Sequence, residues 1–218
     1  MSLVLDAPAG HAAAFKIADL GAAFCPPPEP RLRRVRAHDG QAMQRFVMGL
    51  SAASRRMRFH GAVNACTPGL LRQLTQADDA DHVAIIASVE GAEGERFVGE
   101  ARYHASGASA EFAIAVADGH QGRGLADRLL RALLQAAGGA GLAMLYGDVL
   151  NGNVRMAGLL QRHGFAIDAC ADVDPGVTRW QRALPQSRGR DDRPAALPGA
   201  SGPPWPARRP SESARPAA

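Results

Sequence analysis

Between residues 30 and 184 the apolar positions fall into short runs whose period switches between that of a strand and that of a helix. Leu32 to Arg36 alternates as a short strand. Met43, Phe46, Val47 and Leu50 recur at helical spacing behind Asp39, a residue type that caps helix starts, so the pattern predicts a helix through Leu50. Ser51 caps another short helical piece. Thr67-Pro68 opens a third through Leu70, Leu71 and Leu74, a cap followed by the ring that suits a first helical position. His82–Ser88 reads as a compact apolar strand, with Glu90–Glu95 its turn into a strand over Phe97–His104. Ser106–Ser109 then turns into a strand over Glu111–Val116. A helix from Gly124 to about Ala137, a strand over Leu142–Val149, a helix over Asn153–His163 and a strand over Val177–Ala183 complete the order. The pattern predicts a single α/β domain of the α+β type, in which a mixed, mostly antiparallel sheet is flanked by helices and meander strands feed into βαβ units.

Outside residues 30–184 the periodicity fades. In the N-terminal extension, residues 1–29, Ala12–Phe24 is a candidate short helix, and Pro26-Pro27-Pro28 ends any regular element. Residues 185–218 carry eight prolines and almost no bulky apolar side chains. Such a segment cannot bury enough surface to offset its chain entropy, so an Arg/Pro-rich disordered tail is expected. The 218 residues, 46% hydrophobic and 21% charged, suit one main globular domain with extensions.

Charge and cysteine usage then exclude several classes. The net charge of +4 is concentrated in the tail, where six Arg face three acids, while residues 1–184 hold 19 basic groups against 18 acidic. The core is nearly neutral, so no nucleic-acid partner is expected. Cys25, Cys66 and Cys170 form neither a metal-ligand spacing nor a disulfide framework, and the histidines show no metal spacing either. A reduced, cytoplasmic chain without a metal is the expectation. No apolar run approaches the roughly 18 residues that span a bilayer, and the first residues lack a basic signal-peptide start, so no membrane partner is expected.

The segment Ser109–Gly138 carries the chemistry. On its strand Phe112, Ile114 and Val116 share one face, and Glu111, Ala113 and Ala115 the other. Glu111 therefore leaves the strand opposite the core face, beside small residues that leave room for a ligand. On the following helix Leu125, Leu129, Leu130, Leu133 and Leu134 supply the buried side, and Arg123, Asp127, Arg131 and Gln135 a polar stripe. Between strand and helix lies Gln121-Gly122-Arg123-Gly124-Leu125-Ala126. The glycines allow close backbone approach, and the first N–H groups of the helix point outward with the positive end of its dipole. This is either a cradle for a phosphate or pyrophosphate, with Arg123 adding charge, or a glycine turn that merely joins strand to helix. The spacing is not that of a P-loop, and Asp127 stands where a dinucleotide fingerprint needs a small residue.

The pattern Gln/Arg-x-x-Gly-x-Gly/Ala, met here by Gln121, Gly124 and Ala126, resembles the acyl-CoA pyrophosphate loop of the GNAT N-acetyltransferase family. A second block of that family is similar to Asp148-Val149-Leu150-Asn151-Gly152-Asn153 and the helix that closes with Gly164-Phe165. The resemblance spans about Arg31 to Leu184. Within the family, Leu50–Phe59 and Ala110–Gly124 look similar to the acetyltransferase domain of bacterial protein-lysine acetyltransferases. Those enzymes usually fuse this domain to a nucleotide-binding or acyl-CoA-synthetase-like partner, and neither is expected within this length.

The resemblance implies acetyl-CoA as co-substrate and an amine acceptor, a protein lysine or a small molecule, attacked directly in a ternary complex by a monomer or homodimer. It implies Glu111 as general base. Ile114 and Val116 would pair with the pantetheine arm, Gln121, Gly122, Arg123, Gly124, Leu125 and Ala126 would hold the pyrophosphate, and Asn153, matching the family's asparagine at the start of the second block's helix, would also bind the coenzyme. N–H groups near Val116 would polarise the thioester carbonyl. Without the resemblance, Glu111 reads as a solvated strand residue or an Arg partner. Many members place a thiolate-protonating tyrosine where this chain has Leu160, and that departure leaves an alternative, a non-catalytic acyl-CoA-binding regulatory module. His120 reads as a solvated loop histidine and Cys170 as a small buried thiol. Arg55, Arg56 and Arg58 read as an exposed helix face, with the acceptor side or the adenosine phosphate as their other reading.

Overall fold

A computed structural model describes residues 29–76, 81–92 and 94–185 of the chain. The short helix, the proline run and Cys25 of the N-terminal extension lie outside the described residues, as does the expected disordered tail beyond residue 185. In chain order the elements are β1 (Arg31–Arg34), α1 (Gly40–Gly49), α2 (Ala52–Phe59), α3 (Pro68–Thr75), β2 (His82–Gly91), β3 (Gly94–Ser106) and β4 (Ser109–Val116). They continue with α4 (Leu125–Gly139), β5 (Met144–Leu150), α5 (Val154–Arg162), β6 (Ala166–Ile167) and β7 (Val177–Ala183). One sheet orders the strands β1-β2-β3-β4-β5-β7-β6, antiparallel at every junction except the parallel β4–β5 pair. This is the mixed, mostly antiparallel architecture that the periodicity predicts.

The capping residues act locally. Ser51 Oγ accepts from the Ser54 N–H at 3.1 Å, and Thr67 Oγ1 from the Leu70 N–H at 3.2 Å with Pro68 in the first turn. Asp39 precedes α1, but its side chain does not cap it. The carboxylate turns to the Arg33 guanidinium, at 2.7 and 2.9 Å, and to the Arg36 N–H. β6 is a two-residue strand that no periodicity signals. The expected strand start at Leu142 shifts to Met144, because Leu142 is fully buried and its N–H bonds the Ala137 carbonyl at the end of α4.

Two apolar cores sandwich the sheet. Phe112, Ile114 and Val116 join Leu129, Leu130, Leu133, Leu145, Leu159 and Trp180 beneath α4 and α5. Ala84, Ile86, Phe97 and Ala115 join Met43, Phe46, Val47, Leu50 and Leu74 beneath α1 and α3. Each fully buried side chain of this size contributes about 1.5–3 kcal/mol, and together they fix which face of β4 points to which helices.

A charged triad sits inside the second layer. Glu100 of β3 is 1% exposed and lies between Arg102 and Arg58, which is 7% exposed. Arg58 on α2 is therefore buried rather than part of an exposed helix face. Its helical neighbour Arg55 is half-buried and donates to the Met48 carbonyl at 3.0 Å, while Arg56 is exposed. Arg102 also donates to the Gln73 and Leu74 carbonyls at 2.8 and 2.7 Å, tying α3 to the sheet. Burial alone would push the Glu100 carboxyl up, but Arg102 and Arg58 outweigh it and hold the group below the usual range. Removing Glu100 takes away the anion between two guanidiniums and leaves Arg58 only the weaker pull of Glu111. Glu100→Gln is expected to destabilise the fold by about 3–5 kcal/mol, measured by urea unfolding; a loss below 1 kcal/mol would contradict this role for the triad.

Candidate active site

β4 and β5 pair only over Ser109↔Met144, Ala110↔Leu145 and Glu111↔Tyr146. The next position explains why the ladder stops. The Phe112 ring lies across Gly147, where any Cβ would meet its Cε1 at 2.7 Å, and packs against Phe165 with ring centroids 5.3 Å apart. Beyond this wedge the strands part and leave a cleft of about 800 Å³, walled by residues 112–116 on one side and by the start of α5 on the other. The Ala117 N–H donates to the Val98 carbonyl at 2.9 Å. By the alternation of an antiparallel ladder, the backbone groups of Ala113 and Ala115 then serve β3, and those of Phe112, Ile114 and Val116 turn towards the cleft.

The loop at the head of the cleft is built for close approach. Gly122 and Gly124 have φ of +72° and +78°, a left-handed conformation that suits glycine, and a Cβ on either would meet nothing within 4 Å. Gly124 begins α4 without any side-chain cap. The first intrahelical bond runs from the Arg128 N–H to the Gly124 carbonyl at 3.1 Å, so the Leu125, Ala126 and Asp127 N–H groups have no carbonyl ahead of them in the helix. The Leu125 side chain is buried in the core and leaves only its backbone for a ligand, while Ala126 lines the cleft. Arg123 is exposed and lies outside the cleft wall. Asp127 would oppose an anion here, but His163 Nε2 at 2.6 Å and Arg131 Nε at 2.8 Å both bind it. The His163 hydrogen bond, first, holds its carboxyl below the usual range.

Side chains lock this loop to both walls. The Gln121 amide donates to the Val116 carbonyl at 3.1 Å and to Ser54 Oγ at 3.2 Å, and accepts from Arg155 of α5 at 3.3 Å. Asp118 accepts from the Ser51 N–H, Ser51 Oγ and Ser54 Oγ at 2.8–2.9 Å, joining the loop to the start of α2. Asn153 caps α5, its Oδ1 accepting from the Met156 N–H at 3.2 Å, and lines the cleft.

On the opposite face, Glu111 is half-buried in a second recess of about 1010 Å³ with Asp148, Asp172, Asp174, Arg58 and Arg179. The two recesses share Arg58, His60, Phe112, Ala113 and Asp148, so they meet where the strands part. Asp148 is held by Arg179 at 2.7 and 2.9 Å. Tyr146, opposite Glu111, lies under the Arg179 guanidinium, 4.9 Å from the ring centroid. Burial, and then Glu111, push its phenol up.

Comparison with known proteins meets this geometry. Residues 55–165 match the model of the acetyltransferase (GNAT) family. The chain belongs to the GNAT acetyltransferase family. It is 33% identical over 136 residues, 62% of its own length and 73% of the other, to acetyltransferase PA5475 of Pseudomonas aeruginosa. The solved GNAT domain of S. lividans PAT is 26% identical, with a TM-score of 0.65 over 71% of this chain and 90% of that one. The fold is shared with the Salmonella typhimurium acetyltransferase yncA, a structure with its cofactor acetyl-CoA, at 19% identity and a TM-score of 0.52 over 75% of this chain and 99% of that one.

Within this GNAT acetyltransferase, several sequence expectations change. His120 is half-buried in the cleft wall rather than solvated, and burial, followed by Arg96 and Arg123, pulls its imidazole down, favouring the neutral ring. Cys170 is exposed, not a buried thiol, while the half-buried Cys66 thiol is pushed up by burial. Leu160 is fully buried in the α4–α5 core, out of reach of the cleft. Tyr146 and Arg179 went unsignalled, since only the strand register brings them beside Glu111.

Proposed function

We propose that the chain transfers an acetyl group from acetyl-CoA to a primary amine, on a protein lysine or a small molecule, by direct attack in a ternary complex. The observation that carries this reading is the meeting of two recesses at the β4–β5 parting, one headed by the bare α4 N-terminus and the other holding Glu111. The donor side fits the coenzyme. The N–H groups of Leu125, Ala126 and Asp127 suit a pyrophosphate, with the left-handed Gly122 and Gly124 letting it approach. The backbone of Ile114 and Val116 offers a strand edge to the pantetheine limb, as an extended ligand adds to an open sheet. Gln121 holds the Val116 carbonyl and steadies the neighbouring N–H that would polarise the thioester. Asn153 shapes the far wall.

The acceptor side suits a cation. Glu111, Asp172 and Asp174 add negative charge to a recess whose Asp148 is already paired with Arg179. An ammonium attacks only after losing a proton, and a free lysine is neutral to about one part in a thousand near neutral pH. Glu111, beside the opening, takes that proton. The thiolate leaves unassisted, since a thiol of pKa about 8.5 is a good leaving group. The burial of Leu160 favours a second reading, a module that binds acyl-CoA without turnover. Thiol release from acetyl-CoA over a panel of blocked-lysine peptides and small amines decides between them. Release that requires an amine is the expected result. Calorimetric binding of acetyl-CoA without release over any acceptor would replace the enzyme by the module.

A further inference from the structure

We infer that His104, backed by His82, takes the proton from Glu111 and delivers it to solvent. The inference rests on the reading of Glu111 as base. A reacting ammonium loses two protons. The first goes to Glu111 and frees the nitrogen lone pair. The C–N bond then forms, the C–S bond breaks, and the thiolate leaves with the bonding pair and takes up the second proton from nitrogen. The first proton must leave Glu111 before the next turnover, and Glu111 is half-buried.

The strand register provides a route. His82 pairs with His104, His104 with Glu111, Glu111 with Tyr146 and Tyr146 with Gln181. Directly opposed residues share a face, with Cβ atoms roughly 4.5–5.5 Å apart, so these polar side chains form one row across the sheet. The row lies on the α2–α3 side, the side on which Arg102, two residues before His104, bonds the carbonyls at the end of α3. The His82 and His104 rings touch, with centroids 4.0 Å apart and planes tilted by 49°. His82 follows the exposed Asp81 at the start of β2, so the β2 end of the row reaches water. A carboxylic acid passes a proton to an imidazole downhill, and imidazole is the side chain that both accepts and releases protons near neutrality.

The surrounding charges set the direction. Arg58 from α2 and Arg179 from β7 act electrostatically on Glu111 and favour its return to carboxylate. Arg102, held by Glu100, stands beside His104 on β3, and Asp81 precedes His82 on β2. Tyr146, its phenol pushed up, keeps its own proton and closes the β5 end.

Thiol release from acetyl-CoA with a blocked-lysine peptide and with spermine tests the relay. His104→Gln is expected to lower kcat roughly tenfold, less than loss of the base itself, with KM for acetyl-CoA unchanged. Added imidazole should restore the rate in proportion to its concentration, which repair of a structural defect would not do. His82→Gln should show a smaller loss with the same rescue. In the wild type, kcat should not depend on buffer concentration; a rise with buffer would overturn the relay without any variant. A double variant with wild-type kcat and pH profile, or a loss that imidazole leaves unrepaired, overturns it too. Glu111→Gln separates the two readings. If that variant is inactive while the histidine variants match the parent, only the relay falls. If it turns over like the parent, or the parent releases no thiol with either amine, the base assignment falls and takes the relay with it.

Discussion

Glu111→Gln is expected to lower kcat by roughly 10²–10⁴-fold, the range found for loss of a positioned general base, while acetyl-CoA binds as before. The amide keeps the shape of the carboxylate and removes its basicity together with its charge. The side chain stands on the α2–α3 face of β4, and the donor cleft is formed by the other edge of that strand and by the Gly122–Ala126 loop. Coenzyme affinity measured by calorimetry should therefore not move. The pH dependence is the sharper test. Without a base the reaction runs only on amine that is already neutral, so the rate of the variant should climb about tenfold per pH unit until the acceptor titrates near 10.4. The parent, using a carboxylate that needs only to be ionised, should level off at much lower pH. Arg58, Arg179 and Tyr146 surround the site, so a thermal melt should accompany the kinetics. A variant that folds, binds and matches the parent rate would return Glu111 to the role of a partly buried strand residue.

The sheet and its helices were legible because each has its own period. Leu125, Leu129, Leu130 and Leu133 can be buried together only on a helix, and Phe112, Ile114 and Val116 only on a strand. The glycine loop between β4 and α4 was legible because two glycines before a helix allow a turn that other residues resist, and both adopt the left-handed conformation. What escaped depends on residues far apart in the chain. Nothing near Arg58 announces its burial; that follows from Glu100, which a different element brings beneath it. The parting of β4 from β5 follows from one aromatic ring meeting one glycine, Phe112 over Gly147, across a parallel register that no local pattern encodes. The acid at Asp127 looks hostile to an anion until His163, at the far end of α5, is seen to bind it. Local chemistry could be read in order, whereas pairing across the sheet had to be seen.

Gly124→Glu is expected to weaken acetyl-CoA binding by about a thousandfold or more, because it combines two costs at one position. The residue has φ of +78°, where an L side chain is strained by roughly 1–2 kcal/mol. It also begins α4, beside the N–H groups that would meet the pyrophosphate, and a carboxylate placed there both occupies the approach and repels the ligand at a cost of several kcal/mol. Asp127, one turn inside, already has its charge bound by His163 and Arg131, whereas the exposed Arg123 stands outside the cleft wall. Gly124→Ala divides the two contributions. A methyl group there meets nothing within 4 Å, so it carries the backbone strain without the charge and should cost about tenfold in affinity. Calorimetry with coenzyme A on both variants, each shown by its melt to be folded at the assay temperature, gives the answer. If the alanine form binds nearly as well as the parent and the glutamate form does not, charge at the helix start governs the site. If both bind as the parent does, the diphosphate lies elsewhere, and the bare N-terminus of α4 is only the end of a helix.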